Sequence, residues 1–411
     1  MTVKILTVKQ LENSLAVPPR TRVLSTAVRI VVDYRAALRA RTGVGEYLFQ
    51  TVRAMARAAR EAAPPGSPGA PPVDITLFSS SWKDRPAPAD LAQLPGVHLV
   101  DRRLPVRVLN LLWHRLEWPP VERLAGGARF DVAYSLHPLL LPSRGAAQVV
   151  TIHDLDFLTH PERSSAEVRR DYPALVRKHA ARAAHVVVNS HYTARQVEDQ
   201  LGVAAARITV CYPGAPEWST SLPAAGGRPR RHVLFLGTLE ERKNVGTLLA
   251  AYRDLVARRP DVLPLVLAGG ARPEAARWLD AIERPPLAGC VTYLGYVSDA
   301  ERRKLLESAA MLVLPSRHEG FGMPVLEAMG AGVPVVVSNR GALPEVAGDA
   351  GLVVDPDDPD ALAAAIERML DDEALAAAAA AKGVARARHF RWADTAACVL
   401  SAFERALAAR A

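Results

Sequence analysis

Residues 311–329 read MLVLPSRHEGFGMPVLEAM. Met311–Leu314 is an unbroken apolar run and reads as a buried strand. Pro324–Met329 reads as a helix, with the proline in the first turn, where its missing N–H costs nothing. The two are joined by a turn in which Gly320 and Gly322 flank Phe321. Strand, glycine-bearing turn and helix make the repeating unit of a doubly wound parallel sheet. In such sheets ligands bind beyond the carboxyl ends of the strands, where helix-start amides can hold hydroxyls or a phosphate. Two carboxylates stand eight positions apart here. Glu319 lies in the loop, free to accept hydrogen bonds from ligand hydroxyls. Glu327 lies about a turn into the helix, where it can reach a ribose diol. A single Glu at a helix start also satisfies the helix dipole. That simpler reading leaves Gly-Phe-Gly and Pro324 unexplained.

The same alternation runs outward in both directions. Before the quoted run come strands at Val28–Val32, Ile75–Phe78, Val97–Val100, Val132–Tyr134, Val149–Ile152 and Val186–Asn189. A helix is expected after Gly45, and a Pro/Gly loop over 62–72. Residues 219–231, STSLPAAGGRPRR, read as a linker. A second series follows, with strands at His232–Leu236, Leu263–Ala268, Val291–Leu294, Met311–Leu314, Val333–Val337 and Gly351–Val354. Helices are expected at Val245–Ala257, Asp299–Ala309, 359–381 and around Trp392–Ala409. Strands alternating with helices predict two Rossmann-like α/β domains, 1–220 and 221–411, each with a parallel sheet. The last helix is a candidate to cross back to the first domain. Residues 1–27 precede the first expected strand and receive no reading.

The chain has 411 residues, of which 49% are hydrophobic and 23% charged, which is globular composition with apolar material for two cores. No apolar run is long enough to span a membrane, and the N-terminus, with Lys4, Lys9 and Glu12, lacks the core of a signal peptide. Cys211, Cys290 and Cys398 are too few and too scattered for a disulfide or metal framework, so a cytoplasmic location is expected. The charge is lopsided: residues 1–220 carry 28 Lys/Arg against 19 Asp/Glu, and residues 221–411 carry 23 against 24. A basic half attracts an anionic partner, or is simply an Arg-rich surface.

Gly237-Thr238-Leu239-Glu240-Glu241-Arg242-Lys243-Asn244 follows the strand that ends at Leu236. Arg242 offers a bidentate fork and Lys243 a mobile surface charge, a combination suited to a diphosphate; the alternative is a solvated helix cap. In the first half, Asp33-Tyr34-Arg35 ends a strand, and Gly43 and Gly45 frame a turn that carries little information alone. Thr151-Ile152-His153-Asp154 ends another strand. A lone His at such a place is more often structural. Asp154-Leu155-Asp156 and Asp355-Pro356-Asp357 each spell Asp-x-Asp, a metal-holding pattern in other proteins. The first continues the His153 strand end and the second reads as a turn, so no metal ligand is expected.

The segment from Glu319 to Glu327 resembles the Glu-x7-Glu motif of the retaining GT-B glycosyltransferases of family four. The resemblance extends from about residue 28 to the end and is densest over 232–356. It implies two Rossmann-like domains facing across a cleft and transfer of a hexose from a nucleotide-diphosphate sugar with retention. In such an enzyme the leaving phosphate takes the acceptor's proton. Glu319 would contact the donor hexose and Glu327 the ribose. Gly320, Phe321, Gly322 and Met323 would hold the donor through their backbone. Arg242 and Lys243, beside Gly237, would neutralise the diphosphate in place of a metal, so no cofactor is expected. Gly43 and Gly45 resemble the family's first glycine-rich loop, and His153 matches its Thr-x-His-Asp pattern, which implies contact with the reacting sugar. His153–Leu158 and Pro161-Glu162 look most like the mannosyltransferase branch, which points to GDP-mannose. The implied acceptor is a glycan or a polyprenyl-linked sugar. Residues 104–118, LPVRVLNLLWHRLEW, read either as an amphipathic helix on an anionic membrane or as a helix packed through Leu109, Leu112 and Leu116. The competing functions are a GT-B epimerase or phosphorylase and a basic nucleic-acid-binding protein. The last is disfavoured because only 6% of residues are aromatic.

Overall fold

A computed structural model describes residues 28–38, 43–61, 73–164, 166–218 and 230–410. Residues 1–27, the 62–72 loop, Thr42 and positions 219–229 of the expected linker lie outside the described residues. The chain forms two compact units. One takes the described residues up to Gly214 together with Arg391–Ala411; the other is Ala215–Phe390.

The first unit is built on seven parallel strands: β1 (Val28–Asp33), β2 (Val73–Ser80), β3 (Val97–Arg102), β4 (Val132–Ser135), β5 (Ala147–Ile152), β6 (His185–Val188) and β7 (Ile208–Val210). Their order is β3-β2-β1-β4-β5-β6-β7, with Ile30 opposite Ile75 on one side and Val132 on the other. The second unit has six: β8 (His232–Leu236), β9 (Leu265–Ala268), β10 (Val291–Tyr293), β11 (Ala309–Leu314), β12 (Val335–Ser338) and β13 (Gly351–Val354), ordered β10-β9-β8-β11-β12-β13. Both sheets therefore run outward from their first strand in one direction and then reverse. The reversal falls between β1 and β4 in one and between β8 and β11 in the other. Helices from adjoining crossovers diverge there and leave a crevice at the carboxyl ends of the strands.

The central strands are apolar on both faces because helices cover both faces. One core joins Ile30, Val32, Ile75 and Leu77 to the helix Val44–Glu61 through Leu48, Val52 and Met55. The helix Trp392–Ala408 completes that core: Phe403 is fully buried and meets Tyr134 edge-on with ring centroids 5.0 Å apart. The last helix thus belongs to the first unit, not to a domain running from 221 to the end. The chain passes between units at Gly214–Ala215 and returns at Phe390–Arg391. The expected single helix over 359–381 is two, Pro359–Asp371 and Glu373–Ala387. Asp372 ends the first and caps the second, accepting from the Leu375 amide at 2.8 Å. Strand β7 escaped the sequence reading because its three residues are too few to show a period.

Candidate active site

At the reversal point of the second sheet, β8 feeds a single tight turn, Glu241–Lys243, and then the helix Val245–Arg258. Asn244 joins them in a left-handed conformation (φ 59°), pinned by its side-chain Nδ2 donating to the Pro356 carbonyl at 2.6 Å. Across the crevice, β11 feeds the loop that carries Glu319. The Arg317 amide donates to the Arg242 carbonyl at 2.9 Å and ties the two loops together. Glu319 is buried, yet ringed by donors. Lys243 Nζ bonds Oε1, Arg242 Nη1 lies 3.1 Å from Oε2, and Ser316 Oγ donates to Oε1 at 2.8 Å. Burial alone pushes the carboxyl pKa up, but Lys243 and Arg242 outweigh it and hold Glu319 at about 2. Arg242 is itself fixed by the His318 carbonyl and Glu240 Oε1, both at 2.8 Å. Lys243, expected at the surface, is only 7% exposed. Its ammonium is drawn inward because Glu319 supplies a paired charge that water would otherwise have to replace.

The glycines around this cluster answer to close approach. Gly341 has φ 64°, and a Cβ there would lie 2.6 Å from the Glu319 carbonyl oxygen. The next amide, Ala342, donates to that same carbonyl at 2.9 Å. Gly320 and Phe321 are buried in the loop, with Phe321 edge-on to Phe390 at 5.9 Å. Gly322 caps the helix Met323–Gly330, which Met323 and Pro324 open. Glu327 is buried within that helix, 3.3 Å from Arg302 Nη1. Gly237 follows β8 directly; its amide donates to the Ala268 carbonyl at 2.9 Å, and the Lys243 side chain passes beside it.

The first sheet's reversal point holds a different cluster. Asp33, at the end of β1, is buried and takes a two-pronged contact from Arg35, Nε to Oδ1 at 2.8 Å and Nη2 to Oδ2 at 2.7 Å. His137, just beyond β4, lies 3.3 Å from Oδ2. Because its Nδ1 accepts from the Leu139 amide at 3.3 Å, the Nε2 proton points at Asp33. Burial raises the Asp33 pKa, and Arg35 and His137 more than reverse it, so the carboxyl stays ionised far below its ordinary range. Arg35 also donates to Asn110 Oδ1 at 2.8 Å and stacks on Trp113 at 4.5 Å. The sequence reading gave Asp33 and Arg35 no role and missed His137 and Asn110. The signal available for His137 was its place just past a strand end, the same rule that picked out His153.

His153 follows β5. Its Nε2 lies 3.1 Å from the Leu136 carbonyl, which can only accept, so Nε2 carries the proton and Nδ1 keeps its lone pair. Tyr47 meets the ring edge-on at 5.0 Å. Burial lowers the imidazole to about 4, so it is neutral near pH 7. Tyr47 reaches it from the helix that Gly43 precedes. Gly45, in the first turn of that helix, packs so tightly that a Cβ would lie 2.8 Å from the Ala36 carbonyl oxygen.

Neither Asp-x-Asp pair is bare. Asp156 Oδ1 accepts from His160 at 3.0 Å and from Arg163 at 3.3 Å, while Asp154 Oδ1 accepts from the Asp156 amide at 3.1 Å. Asp355 and Asp357 pair with Arg340 and Arg317. Among the described residues no group of three or more His, Cys, Asp or Glu is placed to hold a metal ion.

Two family models match the chain in succession: Glycosyltransferase Family 4 over residues 69–217 and Glycosyl transferases group 1 over residues 230–372. The O-antigen chain mannosyltransferase B of Escherichia coli is 34% identical over 285 residues, 67% of this chain and 74% of that protein. Among solved structures, the sucrose-phosphate synthase of Thermosynechococcus elongatus superposes with a TM-score of 0.69 at 20% identity, covering 94% of this chain and all of that one. HepE of Anabaena, solved with UDP and glucose, gives 0.65 at 18% identity over 91% of this chain and 98% of its own. These likenesses show the GT-B fold. With both sheets reversing at strands that carry the family's loops, and with a relative matched over most of its length, the chain belongs to the family-4 glycosyltransferases.

Proposed function

We propose that the enzyme transfers mannose from GDP-mannose, with retention and without a metal, to a glycan or polyprenyl-linked acceptor. The observation that carries this reading is the clamp of Lys243 and Arg242 around Glu319 at the second reversal point. Glu319 holds two cations rigid where a donor diphosphate would lie against the amides beyond β8 and β11. Charge that grows on the leaving phosphate then meets a preorganised positive field and needs no ion from solution. Glu319 is assigned to the hexose hydroxyls, Glu327 to the ribose, and the backbone of Gly237 and Gly320–Met323 to the phosphates and sugar. Gly43 and Gly45 are assigned to the donor-facing loop of the first unit. His153, neutral and with Nδ1 open as an acceptor, suits a sugar hydroxyl. Cationic, it would compete for the diphosphate.

Mannose is supported by the E. coli relative, which acts on the O-antigen chain. A screen of GDP-mannose, UDP-glucose and UDP-N-acetylglucosamine, read as nucleotide release with and without an oligomannan acceptor, tests the assignment. Acceptor-dependent release from GDP-mannose alone is expected. Release from a UDP-sugar only, or a rearranged sugar formed without acceptor, would refute it.

We also assign the helix Val106–Leu116 to an anionic membrane surface. It packs inward through Leu109 and Trp113, and Leu116, expected in the packed face, is 66% exposed. Val108, Leu111 and Trp118 are exposed as well, beside Arg107. Trp113 is not an interfacial residue; its indole donates to the Pro119 carbonyl at 2.9 Å. No helix among the described residues is long and apolar enough to cross a membrane. Co-sedimentation with phosphatidylglycerol vesicles at low salt, weakened by Arg107→Glu, is expected; binding that ignores this charge reversal would remove the assignment.

A further inference from the structure

The first unit has a second recess, at the amino ends of its strands. A cavity of about 890 Å³ opens there, lined by Arg29, Glu122, Arg123, Arg129, Asp131 and Arg144 among others. Arg29 is the second residue of β1, Asp131 precedes β4, and Arg144 precedes β5. Because the sheet is parallel, this is the edge opposite His153. Strand β5 spans the distance between them, roughly 20 Å for six residues. The recess is therefore separate from the reversal-point crevice.

Its charge is unbalanced. Asp131 is spent on Arg29, accepting from Nη2 at 3.1 Å and from Nε at 3.2 Å. Glu122 Oε1 accepts from Ser143 Oγ and from the Arg144 amide at 3.1 Å, while its Oε2 is buried without a hydrogen-bond partner, so the wall keeps one carboxylate charge. Arg123 only overlies the Trp118 ring, at 5.6 Å. Arg129 and Arg144 are exposed, and their guanidinium groups meet no carboxylate among the described residues. Two further arginines brace the rim through carbonyls: Arg102 donates to Leu124 and Arg410 to Gly145, each at 2.6 Å. Part of the basic excess of residues 1–220 is thus gathered in one concave place. Four arginines, Arg29, Arg123, Arg129 and Arg144, line the recess against two carboxylates, Glu122 and Asp131. Surplus guanidinium groups on one wall match the planar, multi-oxygen geometry of a phosphate.

We propose that this recess is a second anion site, which takes a phosphate group through Arg123, Arg129 and Arg144 and plays no part in the transfer step. Its ligand is either a phosphate of a lipid headgroup or a free phosphate compound. The full-length chain and its Arg129→Gln/Arg144→Gln form are compared in two arms. In the first, inorganic pyrophosphate is titrated calorimetrically. The wild type is expected to show one more site than the variant, since the donor crevice belongs to the other unit and is untouched. In the second, vesicles of phosphatidylcholine with and without phosphatidylglycerol are co-sedimented. Affinity lost by roughly tenfold or more, the weight of one or two charge-assisted hydrogen bonds, counts as a positive in either arm. Loss in the pyrophosphate arm alone assigns a free phosphate compound; loss in the vesicle arm assigns a headgroup. Both substituted side chains are exposed, so folding is not at risk, and turnover with a soluble acceptor is expected to be unchanged. Equal pyrophosphate stoichiometry together with equal vesicle binding in the two proteins would overturn the proposal.

Discussion

The two sheets share a strand order and each clamps a buried carboxylate between two nitrogen bases at its reversal point, yet the clusters differ in what they leave over. Around Asp33, Arg35 and His137 spend their hydrogen bonds inward, on Asp33, Asn110 and the Leu139 amide. Around Glu319, Lys243 and Arg242 stand beside the Gly320–Gly322 turn and the start of the helix Met323–Gly330. The first arrangement is a latch that joins β1, β4 and the 106–116 helix. The second is the cluster to which we assign the donor diphosphate. On that proposal one topology supplies both places, and the neighbouring backbone separates a structural charge from a functional one.

Lys243→Ala should break this contrast most severely. Turnover is expected to fall by about two to three orders of magnitude, as for loss of one preorganised transition-state donor. Because Lys243 is buried on Glu319, stability should fall too, by about 3 kcal/mol, as when one partner of a buried ion pair is removed. Thermal unfolding alongside steady-state kinetics separates the two effects; unchanged turnover would deny the receptor role. Asp33→Asn comes next. It should cost a similar amount, about 3 kcal/mol, of stability in the first unit by leaving Arg35 without its carboxylate. Turnover measured well below the melting temperature should change far less.

Acid should separate the units more gently. In the first, burial holds His153, His179 and His185 each at about 4. An unfolded histidine takes its proton near pH 6.5. The unfolded state therefore binds more protons between about pH 6.5 and 4, and the first unit loses stability as pH falls through that window. In the second unit, burial lowers His232 alone among the histidines with a resolved displacement. Glu319, held at about 2, contributes stability above its unfolded pKa near 4.3 and loses it only as pH falls from there toward 2. Tryptophan fluorescence followed from pH 7 downward should show the first unit yielding first; the reverse order would contradict the burial argument. Chelation should have the smallest effect: EDTA is expected to leave turnover intact, and loss of turnover restored by Mn²⁺ or Mg²⁺ would return Asp154 and Asp156 to consideration.

The second site was legible because its parts are close in sequence. Ala309 to Gly330 is one strand–turn–helix and His232 to Arg258 is another, so the local pattern singled out their loops, and the family resemblance implied the roles of the residues in them. What spacing could not show is that Lys243 turns inward onto Glu319, a contact across 76 positions. The first site was less legible for the same reason: Asp33 and His137 are 104 positions apart and meet only because β1 and β4 are neighbours. The strand pattern was readable where runs were apolar and long. It failed at β7, which is three residues long, and at Asp372, whose side chain ends one helix and starts the next inside an alanine-rich stretch. The last helix was a candidate to cross back, but its partners could not be read locally, since they depend on Tyr134 and Phe403 meeting from distant parts of the chain.

The most direct test is equilibrium binding of GDP and UDP, in EDTA, to the wild type, Lys243→Ala and Asp33→Asn, each at a temperature where all three are folded. The tighter nucleotide should lose roughly a hundredfold or more in affinity with Lys243→Ala, the weight of a charged diphosphate contact in a partly buried site. It should bind Asp33→Asn as it binds the wild type. Equal affinity for the wild type and Lys243→Ala, or a loss with Asp33→Asn as large as that with Lys243→Ala, would contradict the assignment of latch and receptor.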